Sequence, residues 1–249
     1  MVTDGERAGT DADPQEAIDD ASAERRGTRP HGFTAGDTPE GIPFIGAGPG
    51  DPGLLTVTGR ELCEAADLVV HAGSLVNSEL LDAYCDDAET VSSIGKDLEE
   101  LIPLMRDAYE AGDTVVRLHS GDPAVYGAAL EQMDALAGEG VPTYFVPGVT
   151  SAFAASATLR TQLTLNGVAN HVAFTRPQGK TLDPEEDHIG EFVGMGDVTT
   201  CIYLGTHAVA ETMDRLLEAG YDRSYLYDGW ASRGPDSDGA DDAVQEADD

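Results

Sequence analysis

The residues with the clearest potential for chemistry form a loop rich in glycine and proline. It reads Gly-Ala-Gly-Pro-Gly-Asp-Pro-Gly at residues 46–53 and directly follows the apolar run at 42–45. Glycine tolerates positive φ and has no side chain, so such a loop brings bare backbone close to a ligand or to another segment. A dinucleotide-binding fingerprint is excluded, because Asp51 stands where the third glycine should pack the helix against the strand. Pro49 and Pro52 also remove two backbone N–H donors that a phosphate loop needs.

Two further patterns place polar side chains after a predicted strand. Ser-Gly-Asp-Pro at 120–123 is, by itself, typical of a turn. Thr150 and Ser151 open a predicted helix of small residues, where they can act as an N-cap and where free backbone N–H groups can also bind a ligand. Two interpretations of Asp51 stay open: a base or orienting group for a substrate, or a cap for the predicted helix at 54–65.

No pattern predicts a nucleophilic triad, a metal centre or a disulfide. The six histidines have no paired spacing, so we expect a structural or surface role for each. Cys63, Cys85 and Cys201 lack a CxxC spacing and lie in apolar contexts. This usage predicts buried free thiols in a reducing compartment.

Four segments, in a fixed order along the chain, carry a family resemblance. They are the first loop extended to 46–56, His-Ala-Gly-Ser-Leu-Val at 71–76, Arg-Leu-His-Ser-Gly-Asp-Pro-Ala-Val-Tyr-Gly at 117–127 and Val-Pro-Gly-Val-Thr-Ser-Ala at 146–152. Together they resemble the tetrapyrrole methylases, which transfer methyl groups from S-adenosylmethionine. The second segment is similar to the Tyr-Ala-Gly-Ser-Leu-Val hallmark of the precorrin-4 or cobalt-precorrin-4 C11-methyltransferases of cobalamin synthesis, with His71 in place of the tyrosine.

The resemblance implies a tetrapyrrole substrate, S-adenosylmethionine as co-substrate, a homodimer and a set of binding residues. The implied cofactor-binding residues are Pro49, Ser120, Gly121, Asp122, Val125, Tyr126, Thr150, Ser151 and Leu204. The implied substrate wall consists of Asp51, Ser74 and Leu75, and Asp51 is the one candidate catalytic residue. Candidate cationic partners for the substrate carboxylates are Arg117, Arg160 and Arg176. On pattern alone, Leu204 is also predicted to be a core strand residue. No metal ligand is implied, and methyl transfer from a sulfonium asks mainly for proximity and orientation.

The charge balance is extreme, with 47 acidic against 14 basic residues in 249 and a formal net charge of −33. Self-repulsion of this size destabilises a compact state in dilute buffer, and salt screens it to within about 3 Å at 1 M. We interpret the composition as adaptation to a high-salt, halophilic cytoplasm, with an acidic partner surface as the alternative. The charge argues against nucleic acid as a partner. Without a membrane-length apolar run or a signal pattern, the sequence predicts a cytoplasmic protein with no membrane partner.

The order of elements predicts an α/β fold. Strand-like runs at 42–46, 67–72, 114–119 and 142–146 alternate with helical patterns at about 54–65, 78–84, 97–111 and 125–138. Such alternation is typical of a parallel sheet with helices on its faces and ligand loops at the carboxyl ends of the strands. With the resemblance, this predicts the two-domain tetrapyrrole methylase fold. Its parts are a disordered acidic extension at 1–40, an N-terminal α/β domain at 41–147, a C-terminal α/β domain at 148–228 and a disordered acidic tail at 229–249.

The second domain is expected to be shortened. Its patterns predict a helix at 151–159, a strand at 170–175, an acidic helix at 184–193, an apolar run at 199–205, a helix at 207–219 ended by Gly220 and a short strand at 225–227. After that helix the family continues with at least two more strands and a closing helix, whereas this sequence becomes rich in Asp, Ala and Gly. A truncated or frameshifted reading frame and a native short variant are both open. Two alternatives to C11 methylation also stay open: another branch of the superfamily (a different corrin carbon, uroporphyrinogen or diphthamide synthesis), or a catalytically impaired remnant.

Overall fold

The computed structural model describes residues 39–177 and 196–220, together with Phe192. Its first sheet has five parallel strands in the order β3-β2-β4-β1-β5. The strands are β1 (Ile42–Gly46), β2 (Leu68–His71), β3 (Glu89–Ser92), β4 (Val115–His119) and β5 (Thr143–Val146). All residues of β1 and β4 are buried, as expected for the centre of a parallel sheet covered on both faces. The predicted parallel α/β sheet is therefore confirmed.

Four helices cover the two faces of this sheet and create two apolar cores. They are α1 (Val57–Glu64), α2 (Ser78–Tyr84), α3 (Leu98–Ala111) and α4 (Ala129–Gly138). One core includes Ile45, Val69 and Leu80, and the other includes Phe44, Met105 and Leu136. Because neighbouring residues of a strand point to opposite faces, Phe44 and Ile45 enter different cores.

Capping side chains mark the residues at which the helices begin. The Thr56 side chain accepts a hydrogen bond from the Gly59 N–H at 3.1 Å and begins α1. Asp97 and Glu100 form a reciprocal capping box at the start of α3, which confirms the predicted start there. The helix predicted at 54–65 begins later than expected, at Val57, because residues 52–54 form a separate 3-10 turn.

The predicted helix at 125–138 was wrong over its first four residues. The helix α4 begins at Ala129, since Tyr126 and Ala128 have φ angles of 52° and 46°. Left-handed residues cannot continue an α-helix, and they are costly for side chains with a Cβ. The segment before α4 is therefore a loop that extends the Ser-Gly-Asp-Pro motif.

The second part of the structure contains a smaller sheet. Its elements are α5 (Ser151–Thr158), β6 (His171–Thr175), β7 (Val198–Ile202) and α6 (Val209–Glu218). The strands β6 and β7 pair in parallel, from His171 opposite Val198 to Thr175 opposite Ile202. The predicted elements at 184–193, apart from Phe192, and at 225–227 lie outside the described residues, as do both predicted disordered tails apart from residues 39–40. The domain boundary near residue 148 stays a prediction.

The described residues also show the state of the three cysteines and the lengths of the helices. Cys63 and Cys85 are buried in the first core, Cys201 is partly buried, and all three are free thiols, as predicted. Among the described residues, no helix is both long and apolar enough to cross a membrane.

Candidate cofactor and substrate site

Three loops meet where β1, β4 and β5 end. The loop after β1 is tied to the loop after β4 by two reciprocal hydrogen bonds: Gly48 N–H donates to the Gly121 carbonyl at 3.1 Å, and Gly121 N–H donates to the Gly48 carbonyl at 2.8 Å. Gly48 and Gly121 have φ angles of 75° and 65°, a conformation that glycine adopts without steric cost. The glycine-rich motifs therefore bring two loop backbones into direct contact at the carboxyl edge of the sheet.

The third loop is packed against the first two at glycine positions. A Cβ built on Gly46 would lie 2.5 Å from the Gly121 carbonyl oxygen and 2.6 Å from the Gly148 backbone. A Cβ on Gly148 would overlap the same carbonyl oxygen even more closely. The obstructing atoms belong to the backbone, so they cannot swing aside. The convergence of the three loops therefore requires glycine at both positions.

Asp122 fastens the loop after β4 to the loop after β5. Its Oδ2 accepts a hydrogen bond from the Gly148 N–H at 2.9 Å, and its Oδ1 accepts one from the Ala124 N–H at 2.8 Å. Hydrogen bonds from backbone N–H groups to a carboxylate are among the stronger ones in proteins. The cofactor contact predicted for Asp122 stays a prediction, whereas the structure shows that its carboxylate positions the neighbouring loop.

The start of α5 completes this group of loops. A Cβ on Gly121 would lie 3.8 Å from Thr150 Cα and 3.9 Å from the Ser151 backbone nitrogen, so the two segments are neighbours. Thr150 is 5% exposed and stands at the N-cap position of α5, yet its side chain makes no capping hydrogen bond. Its hydroxyl instead lies 2.6 Å from the Tyr203 hydroxyl. Capping by Thr150 was one of the two roles that the sequence left open, and the structure does not show it.

The position and exposure of Leu204 differ from those predicted from the sequence pattern. It was expected in the core of a strand, but β7 ends at Ile202 and the Leu204 side chain is 54% exposed. Its φ is 58°, a strained conformation for a leucine. The expectation was wrong because an apolar run does not reveal where the backbone leaves the strand. Strained residues of this type cluster at ligand sites.

Tyr126 lies between the two parts of the structure. Its ring centroid is 5.5 Å from that of Tyr203, and the Arg176 guanidinium lies 5.8 Å from the Tyr126 centroid. Tyr126 is 40% exposed, and partial burial raises the pKa of its phenol. Val125 precedes it in the same loop, where its N–H donates to the Asp122 carbonyl at 3.1 Å.

The predicted substrate wall is held by a residue that the sequence analysis missed. Asn77 donates from Nδ2 to the Gly50 carbonyl at 2.8 Å, and its Oδ1 accepts from the Glu79 N–H at 3.1 Å, which caps α2. It thereby ties the loop at 46–53 to the start of α2, two residues after the 3-10 turn Gly73–Leu75, which contains Ser74 and the 54% exposed Leu75. An asparagine directly before a predicted helix signals a cap, but nothing local signals the bond to Gly50.

Asp51 and Pro49 lie in the loop that Asn77 holds. The Asp51 Oδ1 accepts from the Gly53 N–H at 2.7 Å and caps the 3-10 turn Pro52–Leu54. Of the two interpretations left open for Asp51, capping is therefore found at the turn before α1, whereas Thr56 caps α1 itself. The exposed Asp51 side chain therefore stays available at the rim of the loop.

We expect Asn77→Asp to lower the free energy of unfolding by about 1–3 kcal/mol, because the cap is kept while the donor to Gly50 is lost and a carboxylate faces that carbonyl. Urea unfolding at fixed KCl measures this change. The matched control is Asp97→Asn, which exchanges the same two side chains at the N-cap of α3 and should change stability by under about 0.5 kcal/mol. Equal stability of Asn77→Asp and the wild type would show that the bond to Gly50 contributes nothing.

The three candidate arginines have different environments. Arg117 is 4% exposed in β4, and its guanidinium donates only within the protein interior. Its acceptors are Gln132 Oε1 at 2.8 Å, the Leu118 carbonyl at 2.8 Å, the Val70 carbonyl at 3.2 Å and Ser93 Oγ at 3.3 Å. Arg117 therefore belongs to the core rather than to a surface that faces a substrate. Arg176 lies at Tyr126, and Arg160 follows α5 with a φ of 53°.

Two histidines flank this buried arginine. His119 is 3% exposed and stacks on Phe44 with centroids 5.5 Å apart. Burial, with the Arg117 charge as a further cause, lowers the His119 pKa to about 3. Burial also lowers the pKa of His71, and again Arg117 adds to the effect. Each of the two side chains contains a buried nitrogen without a hydrogen-bond partner in the described part of the chain, and the structural role expected for these histidines stays a prediction.

The site as a whole has the form of an open α/β sheet with glycine-rich loops at the carboxyl ends of its strands, where such sheets bind ligands. The chain belongs to the tetrapyrrole (corrin/porphyrin) methylase family, whose sequence model matches residues 41–227. The resemblance stated from the four motifs is thereby confirmed.

Known proteins support this assignment. The chain is 43% identical over 178 residues to a cobalt-precorrin-4 C(11)-methyltransferase of Methanocaldococcus jannaschii, covering 72% of this chain and 68% of the relative. The crystal structure of a cobalt precorrin-4 methyltransferase matches with a TM-score of 0.68 and 39% identity, over 75% of this chain and 80% of the other. A uroporphyrin-III C-methyltransferase from Thermus thermophilus, solved with S-adenosylhomocysteine, gives a TM-score of 0.57 and 29% identity, over 73% of each chain.

Proposed function

We propose that this chain transfers a methyl group from S-adenosylmethionine to C11 of precorrin-4 or cobalt-precorrin-4 in cobalamin biosynthesis. The observation that carries the proposal is the convergence of the loops at 46–53, 120–127 and 147–151 at one edge of the sheet, in a chain 43% identical to a cobalt-precorrin-4 C(11)-methyltransferase. The 39% identity to a cobalt precorrin-4 methyltransferase of known structure supports the same substrate.

The described residues fit S-adenosylmethionine, whose sulfonium supplies an activated methyl group. Gly121, at a φ of 65° and without a side chain, lets the loop after β4 lie directly beside the start of α5. Thr150 and Ser151 supply hydroxyl groups on the segment beside Gly121, and the exposed Leu204 supplies an apolar surface. The proposed cofactor contacts are Pro49, Ser120, Gly121, Asp122, Val125, Tyr126, Thr150, Ser151 and Leu204. A family neighbour solved with S-adenosylhomocysteine supports this ligand.

The proposed substrate wall is the rim formed by Asp51, Ser74 and Leu75. Asn77 holds its two loops together, and the Asp51 carboxylate is exposed there to orient the macrocycle or accept a proton. Arg176 is the better placed of the candidate cations, because it lies at Tyr126 in the proposed cofactor loop. These residues bind and orient, which is the main contribution that methyl transfer from a sulfonium needs.

The experiment that tests the proposal is calorimetric titration of the folded chain with S-adenosylhomocysteine in multimolar KCl. We expect micromolar binding, followed by C11-methylated product from precorrin-4 or its cobalt form. Methylation at another carbon would assign the chain to another branch of the family. A folded chain that does not bind would favour a non-catalytic relative.

We also propose that the protein works in a halophilic cytoplasm and as a homodimer. The net charge of −33 supports the first proposal, and membership of the family supports the second. Sedimentation equilibrium in 2 M KCl over a series of protein concentrations tests the dimer, and a monomer at every concentration would contradict it.

Salt is expected to raise the thermal unfolding midpoint steeply between 0.1 and 1 M KCl and less above that. The reason is that the Debye length falls from about 10 Å to about 3 Å over this range, which screens the repulsion among the acidic residues. Differential scanning fluorimetry at constant pH measures the midpoint. Sucrose, which stabilises without ions, is the control. A midpoint that is flat in KCl up to 1 M would contradict the halophilic proposal.

A further inference from the structure

Tyr203 lies where the second sheet meets the loops of the first. Its N–H donates to the Thr175 carbonyl at 2.8 Å, which continues the pairing of β6 and β7 one residue past the end of β7. Its hydroxyl lies 2.6 Å from Thr150 Oγ1, at the start of α5. A single residue thus joins two segments that are 53 positions apart in the sequence.

The Tyr203 ring is fixed on two sides, so the position of its hydroxyl is defined. The ring centroid is 5.5 Å from that of Tyr126 and 5.4 Å from that of Phe174. Aromatic pairs at such distances and tilted angles are favourable beyond the area that they bury. Because this packing already restricts the ring, the hydrogen bond between the Tyr203 hydroxyl and Thr150 costs little further side-chain entropy.

The Thr150 hydroxyl depends on this phenol. Thr150 is 5% exposed and makes no capping bond within α5, so the Tyr203 hydroxyl is its one hydrogen-bond partner in the described part of the chain. A hydroxyl can donate one hydrogen bond and accept others. When Tyr203 donates to Thr150, the Thr150 proton is directed away from Tyr203 and can be donated to a second acceptor, such as a bound ligand.

We propose that Tyr203 is a positioning residue of the cofactor site, whose hydroxyl orients the Thr150 hydroxyl and holds the loop at 120–127, the start of α5 and the exposed Leu204 in one arrangement. The inference rests on the proposed cofactor site. Leu204, the next residue, leaves the strand with a φ of 58° directly after this anchored side chain.

The test is the dissociation constant of S-adenosylhomocysteine, measured by calorimetry in 2 M KCl on the full chain. Tyr203→Phe keeps the ring and removes only the hydroxyl, and Thr150→Val removes the partner hydroxyl at similar volume. We expect each variant to bind about five- to tenfold more weakly, the effect of one lost hydrogen bond. Thr150→Ser retains a hydroxyl and should bind within about twofold of the wild type.

The double variant separates a shared bond from two independent effects. If the two hydroxyls act through each other, the combined variant binds no more weakly than either single one. Losses that multiply, or single variants that bind like the wild type, would overturn the inference. Tyr109→Phe, which removes a phenol hydroxyl on α3, is the control and should leave the dissociation constant unchanged.

Thermal unfolding midpoints of all variants show whether any loss of affinity reflects global instability. A lowered midpoint with unchanged affinity for Tyr203→Phe would mean a structural role only and would overturn the inference. Failure of the proposed function has a different signature, because the folded wild type itself would then not bind. In that case both the proposed function and the role of Tyr203 are rejected.

Discussion

Gly148→Ala is expected to destabilise the protein by at least about 3 kcal/mol and to weaken S-adenosylhomocysteine binding more than 100-fold. The added Cβ would overlap the Gly121 carbonyl and would lie 2.7 Å from Gly46 Cα. Both obstacles are backbone at the ends of buried strands, so relief requires the loops to separate, which exceeds the usual cost of overpacking. Separation also breaks the bond from the Gly148 N–H to Asp122.

Urea unfolding and calorimetry measure the two effects of Gly148→Ala. Gly138→Ala is the matched control, because no atom lies within 4 Å of the added Cβ and the residue is in the last turn of α4. We expect this variant to be as stable as the wild type or up to about 1 kcal/mol more stable, since alanine favours a helix over glycine. Near-native stability and affinity of Gly148→Ala would refute the close approach of the three loops.

Arg117→Ala is expected to cost about 3–5 kcal/mol of stability. Truncation leaves a cavity in the second core and removes the donors to four neutral acceptors, among them Gln132 Oε1. Burial lowers the pKa of Arg117 to about 10, because the interior disfavours its charge, and the four hydrogen bonds offset part of that desolvation. Because small domains are stable by only about 5–15 kcal/mol, such a loss should be evident at once in urea unfolding.

A further substitution separates the contribution of the Arg117 hydrogen bonds to stability from that of its side-chain volume. Arg117→Met fills much of the volume without donors, and its stability should fall between that of the wild type and that of Arg117→Ala. Arg60→Ala is the control, because Arg60 forms an exposed i,i+4 pair with Glu64 at 3.5 Å and should contribute under about 0.5 kcal/mol. If Arg117→Met were more stable than the wild type, the buried polar network would not be a source of stability.

Much of the fold followed from local patterns. Strands β1, β2, β4 and β5 are short apolar runs between turn residues, and the bounds of each lie within one residue of those predicted. β3 was missed because its sequence, Glu-Thr-Val-Ser, contains one large apolar residue. It is an edge strand, and its exposed side chains need no apolar pattern. The start of α4 was misplaced because the left-handed φ of Tyr126 and Ala128 depends on contacts made elsewhere in the structure.

The candidate site was predicted only as a set of motifs. Their glycines, prolines and acids indicated where the loops are, and their position after strands placed them on one edge of the sheet. The contacts that assemble them are between distant residues: Asn77 bonds Gly50 across 27 positions and Asp122 bonds Gly148 across 26. No local pattern encodes such a pair, so Asn77 and the dual use of the Asp122 carboxylate were not predicted.

The sequence by itself determined the parallel α/β sheet, the family and the loops that face a ligand, because apolar periodicity and glycine-rich turns act over a few neighbouring residues. Only the tertiary structure decided which polar groups meet. It buried Arg117 beneath α4 instead of facing it toward a substrate, exposed Leu204 instead of burying it, and directed the Thr150 hydroxyl to Tyr203. Each of these outcomes depends on packing between strands and helices that are far apart in the chain, and hydrogen-bond partners are chosen only once that packing fixes their distances.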